Sequence, residues 1–330
     1  MPQLSLFKSN SQSPKASPTA PPTALTTLNA SPTLGHFDPK LLATLDSLDL
    51  RARYVVEGFV AGLHRSPFHG FSVEFSEYRE YEPGDDPRHV DWRAFARSGR
   101  LYVKRYMQET NLPCYALVDT SSSMEYRGAD AWGSKLDVCR VLCAALLWMM
   151  LKQNDAAGLL AWSSEVDGPE LVPPSQKSSQ FGILLRQLDR LKSVPRASLG
   201  GLLATAARRV RRRGLAILFS DLLEPPESLV EPLRELRHAG TELLVLQVLD
   251  RDELEFPFAE DMIFEDPESG QRRRVSPAAA RDAYLQRFTA FLDKHRDQLR
   301  GLEAHHRIVR TDEAPWQAIQ TFLETRELLG

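Results

Sequence analysis

The sequence predicts an α/β fold: a mostly parallel sheet with helices on both faces, preceded by a smaller α+β block. Three observations carry this expectation. From Asn111 onward, short apolar runs alternate with longer helical segments, the order that builds βαβ units. The runs are nearly uninterrupted, as in Leu215-Ala-Ile-Leu-Phe219, which suits strands buried on both faces. The chain has 330 residues, 42% hydrophobic and 26% charged, ample for a core in one large domain or two smaller ones.

Residues 1–37 are dominated by Ser, Thr, Pro, Ala and Asn. Such a segment buries too little apolar surface to offset its ordering entropy, so a disordered tail is expected. Asp38-Pro39 has the form of an N-cap followed by proline at the first helical position. Leu41, Leu42, Leu45 and Leu48 then recur at helical spacing. A second helix is expected over Leu50–Leu63, with Val55, Val56, Phe59 and Val60 on its apolar side. At Gly70 the period changes: Phe71, Val73 and Phe75 alternate with polar residues, a strand signal. Glu82-Pro83-Gly84-Asp85-Asp86-Pro87 is turn chemistry. His89–Arg97 reads as a short helix or turn, and Leu101–Tyr106 as another strand. Residues 38–112 are thus expected to form a small α+β domain packed on the larger one. Asp85, Asp86 and Asp91 read as turn and capping carboxylates, or else as a docking surface for a partner.

Residues 113–330 form the expected larger domain. Its strands are read at Tyr115–Asp119, Ala157–Trp162, Leu215–Ser220, Leu243–Leu249 and Arg307–Val309. Its helices are read at Lys135–Gln153, Ser179–Leu191, Leu199–Arg212, Pro226–Ala239, Pro277–Leu299 and Trp316–Leu328. Val141–Leu151 is the longest apolar run and reaches roughly half of what a membrane span needs. It reads as a helix buried within the core, and no membrane span is expected.

In sheets of this kind ligands bind beyond the C-terminal ends of the strands, beside the point where strand order reverses. The first long strand ends Val118-Asp119-Thr120-Ser121-Ser122-Ser123-Met124. Alternate residues of an extended loop point the same way, so Asp119, Ser121 and Ser123 can converge. One carboxylate and two hydroxyls are hard oxygen donors that suit Mg²⁺ or Mn²⁺, with water completing an octahedral shell. A later strand ends Phe219-Ser220-Asp221 and brings a second carboxylate to the same edge. Ser198 precedes Leu199-Gly200-Gly201, a hydroxyl at a helix entry. Taken alone, helix capping explains the Asp-x-Ser-x-Ser loop equally well, because Ser and Asp are common before helices.

A longer pattern surrounds these residues. It consists of Val73-Glu-Phe-Ser-Glu-Tyr-Arg-Glu-Tyr-Glu-Pro-Gly-Asp-Asp86, Val90-Asp91-Trp92 and Ala96-Arg97, and closes on Asp119-x-Ser121-x-Ser123-Met124. This pattern resembles the bacterial family called domain of unknown function 58 (DUF58), whose members hold a von Willebrand A-like module. The resemblance spans roughly Leu41 to Leu249 and is densest from Ser72 to Met124. It implies a von Willebrand A-like, Rossmann-like fold with a metal-ion-dependent adhesion site. In that site Asp119, Ser121 and Ser123 are the first metal loop and Asp221 is the third. The second loop departs from the usual pattern, which has threonine: Ser198 is the best match, and Thr205, inside the helix, a weaker one. The resemblance also implies a companion of MoxR-type AAA+ ATPases in chaperone-like assembly or cofactor insertion. The expectation is therefore a non-catalytic, cytoplasmic, metal-dependent protein-binding adaptor. Its partner, the ATPase or its client, would present a carboxylate to the bound Mg²⁺ or Mn²⁺.

Other chemistries find less support. The net charge of −3 creates no general attraction to nucleic acid or anionic membrane. No secretory signal is expected, since no apolar segment follows the single early lysine. Cys139 and Cys143 share a helix face without further ligands at metal spacing, and with Cys114 read as small buried thiols. Gly128-x₄-Gly133-Ser134-Lys135 inverts the Lys-Ser order of a phosphate-binding loop, and Ser134 reads as a helix cap. His305-His306 is read as lying beside a short strand, with a metal role the lesser alternative. Arg208, Arg209, Arg211, Arg212 and Arg213 read as a solvated helix end; without interleaved aromatics they make a poor single-strand platform. A metal-dependent hydrolase is the alternative function, and nucleic-acid binding through the arginine run a lesser one; for the hydrolase, no histidine follows the three strand ends as a general base.

Overall fold

The computed structural model describes residues 42, 44–63, 78–80, 102–104, 113–195, 197–210 and 213–327. The tail at 1–37, the Asp38-Pro39 cap, the strand at Phe71–Phe75, the Glu82–Pro87 turn with Asp85, Asp86 and Asp91, and the His89–Arg97 segment lie outside the described residues.

Helix α1 (Leu48–Leu63) coincides with the helix expected over Leu50–Leu63. Strands β1 (Tyr78–Glu80) and β2 (Tyr102–Lys104) pair antiparallel. The main sheet contains β3 (Pro113–Val118), β4 (Ala156–Trp162), β5 (Pro169–Ser175), β6 (Gly214–Ser220), β7 (Thr241–Leu249) and β10 (His305–Arg310). Its spatial order is β10-β7-β6-β3-β4-β5. All neighbours run parallel except β5, which is antiparallel to β4. The helices between them are α2 (Lys135–Lys152), α3 (Gln180–Arg190), α4 (Leu199–Arg209), α5 (Pro226–His238), α6 (Arg251–Glu255), α7 (Pro277–Gly301) and α8 (Trp316–Glu327). A separate hairpin, β8 (Met262–Glu265) and β9 (Arg272–Val275), follows α6. The arrangement is the expected α/β fold, a mostly parallel sheet between two helical layers.

Two apolar layers sandwich the sheet. On one face Ala116, Val118, Ile217, Phe219, Leu246 and Val248 pack against α2 and α8, and α1 joins the same layer through Leu48, Ala52, Val55 and Val56. On the other face Leu117, Leu160, Leu218 and Val245 meet Leu202 and Leu203 of α4, Leu229, Leu233 and Leu236 of α5, and Leu299 of α7. Helix α2 is buried on most of its sides, Val138 and Val141 included. Valine costs a helix only a few tenths of a kcal/mol, whereas burying it contributes about 1.5–3 kcal/mol. Packing therefore holds α2. Its start is set locally: Ser134 Oγ accepts from Asp137 N at 3.1 Å and Asp137 Oδ2 accepts from Ser134 N at 3.1 Å, a capping box.

Several boundaries differ from the sequence reading. β5 escaped notice because Pro169, Pro173 and Pro174 interrupt it, and proline is tolerated in a strand only at positions such as this sheet edge. Helix α4 ends at Arg209 rather than Arg212. Val210 leaves helical geometry at φ −85° and ψ 99° and buries its side chain in the core. The β8–β9 hairpin and the short α6 were likewise absent from the sequence reading.

Candidate functional site

The chain passes from β3 outward through β4 to β5, then returns to β6 on the other side of β3 and continues to β7 and β10. Strand order thus reverses between β3 and β6, and in sheets of this kind ligands bind beyond the C-terminal strand ends at such a point. The register Val118↔Phe219 sets Asp119 beside Ser220, with Asp221 next in line. Asp119 N donates to Phe219 O at 2.9 Å.

The first loop is tightly organised. Asp119 Oδ1 accepts from Ser121 N at 2.9 Å, and Asp119 Oδ2 accepts from Ser220 Oγ at 2.6 Å. Ser121 Oγ and Ser123 Oγ lie 3.1 Å apart. All of these side chains are buried or nearly so. Burial pushes the Asp119 carboxyl up to about 7, the charge of Asp221 adds to this, and the Ser220 and Ser121 hydrogen bonds oppose it. The loop continues as a short 3₁₀ turn over Ser122–Glu125.

Asp221 occupies the third loop. Its Oδ1 accepts from Leu223 N at 3.2 Å and its Oδ2 from Lys135 Nζ at 2.8 Å. The next residue, Leu222, takes the left-handed conformation at φ 56°, which costs a non-glycine residue roughly 1–2 kcal/mol. That turn lets Leu222 enter the lower core layer directly after Asp221.

Lys135 is fully buried and also donates to Glu253 Oε1 at 2.6 Å. Burial alone would lower its pKa, but the charges of Asp221 and Glu253 outweigh that and hold it above the ordinary lysine value. Behind Glu253, Asp250 caps α6, and its Oδ2 accepts from Thr311 Oγ1 at 2.7 Å and from Gly128 N at 2.9 Å. A Cβ on Gly128 would lie 2.2 Å from Asp250 Oδ1, so this glycine serves close approach to Asp250.

Ser198 stands at the N-cap of α4, where its hydroxyl accepts from Gly201 N at 3.0 Å. Its carbonyl accepts from Trp162 Nε1 at 3.0 Å, and Thr120 Oγ1 reaches Trp162 O at 3.5 Å. Ser198 is therefore tied to the first loop through the end of β4. Glu224 closes the remaining donors of that helix start, accepting from Leu199 N and from Gly200 N at 3.1 Å. Thr205 lies inside α4, and its hydroxyl accepts from Arg208 Nη2 at 3.2 Å.

The structure thus brings Asp119, Ser121 and Ser123 together, sets Asp221 alongside, and leaves Ser198 as a helix cap one step away. Lys135, Ser220 and Glu253 were not legible as site residues. Lys135 read as the start of a helix, and nothing local ties it to residues 86 and 118 positions distant. Ser220 alone carried a signal, as the polar residue immediately before Asp221 on a strand end.

Among the described residues no three His, Cys, Asp or Glu side chains gather as a metal cage. The donor set here is different: two carboxylates and two clustered hydroxyls, a partial shell of the kind that leaves Mg²⁺ several waters. Lys135 occupies one oxygen of Asp221, so Asp221 suits contact through water, while the clustered Ser121 and Ser123 hydroxyls fit direct contact. The residues fit a hard divalent cation held chiefly by the first loop.

Other readings from the sequence resolve into structure. Cys114, Cys139 and Cys143 are buried thiols outside any disulfide, and burial pushes the Cys139 and Cys143 thiols up. His306 lies on β10 and bonds Gln247 Oε1 at 2.9 Å, while Gln247 Nε2 donates to Asp221 O at 3.0 Å. No helix among the described residues is long and apolar enough to cross a membrane.

Comparison with known proteins places the chain in a family. The profile described as "Protein of unknown function DUF58" matches residues 77–297. The protein Mb1516 of Mycobacterium bovis is 30% identical over 296 residues, covering 88% of this chain and 90% of its own. Rv1480 of Mycobacterium tuberculosis gives the same figures, 30% over 296 residues. Among solved structures, the conserved hypothetical protein BatB from Bacteroides thetaiotaomicron is similar at TM-score 0.39 and 14% identity, over 66% of this chain and 99% of that one. The SpRpn10 VWA domain is similar at TM-score 0.37 and 11% identity, over 63% and 93%. By the extent of the profile match and of the mycobacterial relatives, this chain belongs to the DUF58 family.

Proposed function

We propose that this protein is a metal-dependent protein-binding adaptor, non-catalytic and cytoplasmic, working with a MoxR-type AAA+ ATPase in chaperone-like assembly or cofactor insertion. The von Willebrand A-like fold suggests a protein-interaction domain. The observation that carries the finer reading is the convergence of Asp119 with the paired hydroxyls of Ser121 and Ser123 at the strand-order reversal, with Asp221 beside them. Asp119 is buried without a cationic side chain among its hydrogen-bond partners, whereas Asp221 has Lys135. A divalent ion there would supply Asp119's missing counter-charge. Neutral hydroxyl ligands leave such an ion electrophilic and disposed to take an acidic group from a partner. Asp119 anchors the ion, Ser121 and Ser123 give neutral oxygens, Asp221 acts through water, and Ser198 is the second-loop hydroxyl.

Affinity capture from the native lysate tests this, using wild type and Asp119→Ala, each in Mg²⁺ and in chelator. Recovery of an AAA+ ATPase only with wild type in Mg²⁺ is the expected result. The same proteins recovered in all four conditions would overturn the adaptor reading.

A further inference from the structure

The β8–β9 hairpin bears on this same edge. Its turn is rigidly built: Asp266 N donates to Gln271 O at 2.9 Å, and Gly270 N to Asp266 O at 2.8 Å. Asp266 Oδ1 accepts from Glu268 N at 3.0 Å and Oδ2 from Ser269 Oγ at 2.6 Å. Gly270 supplies the left-handed residue at φ 68°. The underside of the hairpin is anchored by Phe264, buried against Phe256 at 5.8 Å and Phe258 at 5.3 Å between ring centroids. A two-stranded hairpin alone is marginal in water; this aromatic cluster holds it in place.

What the turn presents is Glu268. Its Oε1 accepts from Ser123 N at 3.0 Å, across 145 residues of sequence. The carboxylate therefore sits on the loop that carries Ser121 and Ser123, near enough to Asp221 for that charge to act on it. The Glu268 carboxylate also accepts from Ser122, while the residue as a whole is exposed, so it can leave by side-chain rotation while Phe264 keeps the hairpin seated.

We propose that Glu268 is a tethered internal competitor: docked on the Ser121–Ser123 loop, it holds the place of the partner's carboxylate until that carboxylate displaces it. This rests on the metal-edge reading above. A tethered group competes at an effective concentration on the order of millimolar or more. The protein's own carboxylate thereby excludes weak, isolated acidic groups and admits a partner that adds further contacts.

The test uses the full chain loaded with Mn²⁺, with acetate as the carboxylate probe and water-proton relaxation as the readout. Glu268→Ala removes the competitor; Glu265→Ala, which removes the ion pair with Arg272 on the neighbouring strand, is the control. Glu268→Ala is expected to take up acetate about tenfold more tightly than wild type and the control. Amide exchange at Ser123 should also quicken in Glu268→Ala, with or without metal. Superimposable acetate titrations in wild type and Glu268→Ala, both holding Mn²⁺, would overturn the competitor and leave the metal edge intact. Failure of wild type to bind Mn²⁺ at all would overturn both.

Discussion

Lys135→Met offers a direct measure of the charge balance beneath the Asp119–Asp221 edge. The ammonium is 0% exposed and lies 2.8 Å from Asp221 Oδ2 and 2.6 Å from Glu253 Oε1, and those side chains are 2% and 1% exposed. Methionine fills a similar volume, so cavity formation adds little. What changes is that two buried carboxylates lose their only buried cationic partner among the described residues. Removing one side of a buried pair costs about 3–5 kcal/mol, because a charge is left uncompensated. At roughly 2–4 °C per kcal/mol for a domain of this size, the melting temperature should fall by about 10 °C. Arg234→Ala is the reference: that arginine pairs with Glu231 at 47% and 67% exposure, and losing such a pair costs about 0.5 kcal/mol or less. Urea unfolding in chelator measures both variants. If Lys135→Met lies within about 1 kcal/mol of Arg234→Ala, far below the cost of breaking a buried pair, the argument that Lys135 neutralises this edge is wrong. The penalty should also shrink on acidification, as Glu253, pushed up to about 7 by burial, takes up a proton.

Two further outcomes follow from the same geometry. Asp119 is pushed up to about 7 from an ordinary 3.8, so between these values the folded chain holds a proton that the unfolded chain has lost. Stability of metal-free wild type relative to Asp119→Asn should therefore fall as pH rises through that window; parallel stability–pH curves would contradict it. Phe264→Ala removes the buried ring under the hairpin, a truncation of a class that costs about 3–5 kcal/mol. Limited proteolysis should then cleave within 262–275 well before the sheet is attacked, and equal cleavage rates in wild type would show that the aromatic cluster does not hold the hairpin.

The proposed edge combines two kinds of support. Backbone register and the Asx-type turn at Asp119 position the first loop without any ion. Lys135 then gives Asp221 a cationic partner 2.8 Å away in a buried setting. An ion bound at the proposed edge would be left with one carboxylate and two hydroxyls as direct ligands, a set that favours modest affinity.

Much of this was legible in the sequence because the relevant physics is local. Continuous apolar runs such as Leu215–Phe219 announce strands covered on both faces, and Ser134 with Asp137 announces the start of α2. The Asp-x-Ser-x-Ser spacing brings three oxygens together on one loop whatever lies around it. The order β10-β7-β6-β3-β4-β5 was not written in any segment, because pairing depends on contacts between distant strands. β5 was hidden by its prolines, whose tolerance depends on an edge position that only the assembled sheet defines. Lys135 and Glu268 reach the site across 86 and 145 residues. Side-chain identity marks a lysine or a glutamate as polar and ordinarily solvent-facing. Only the packed structure, by removing water from Lys135 and seating the hairpin beside Ser123, decides which charges must answer one another.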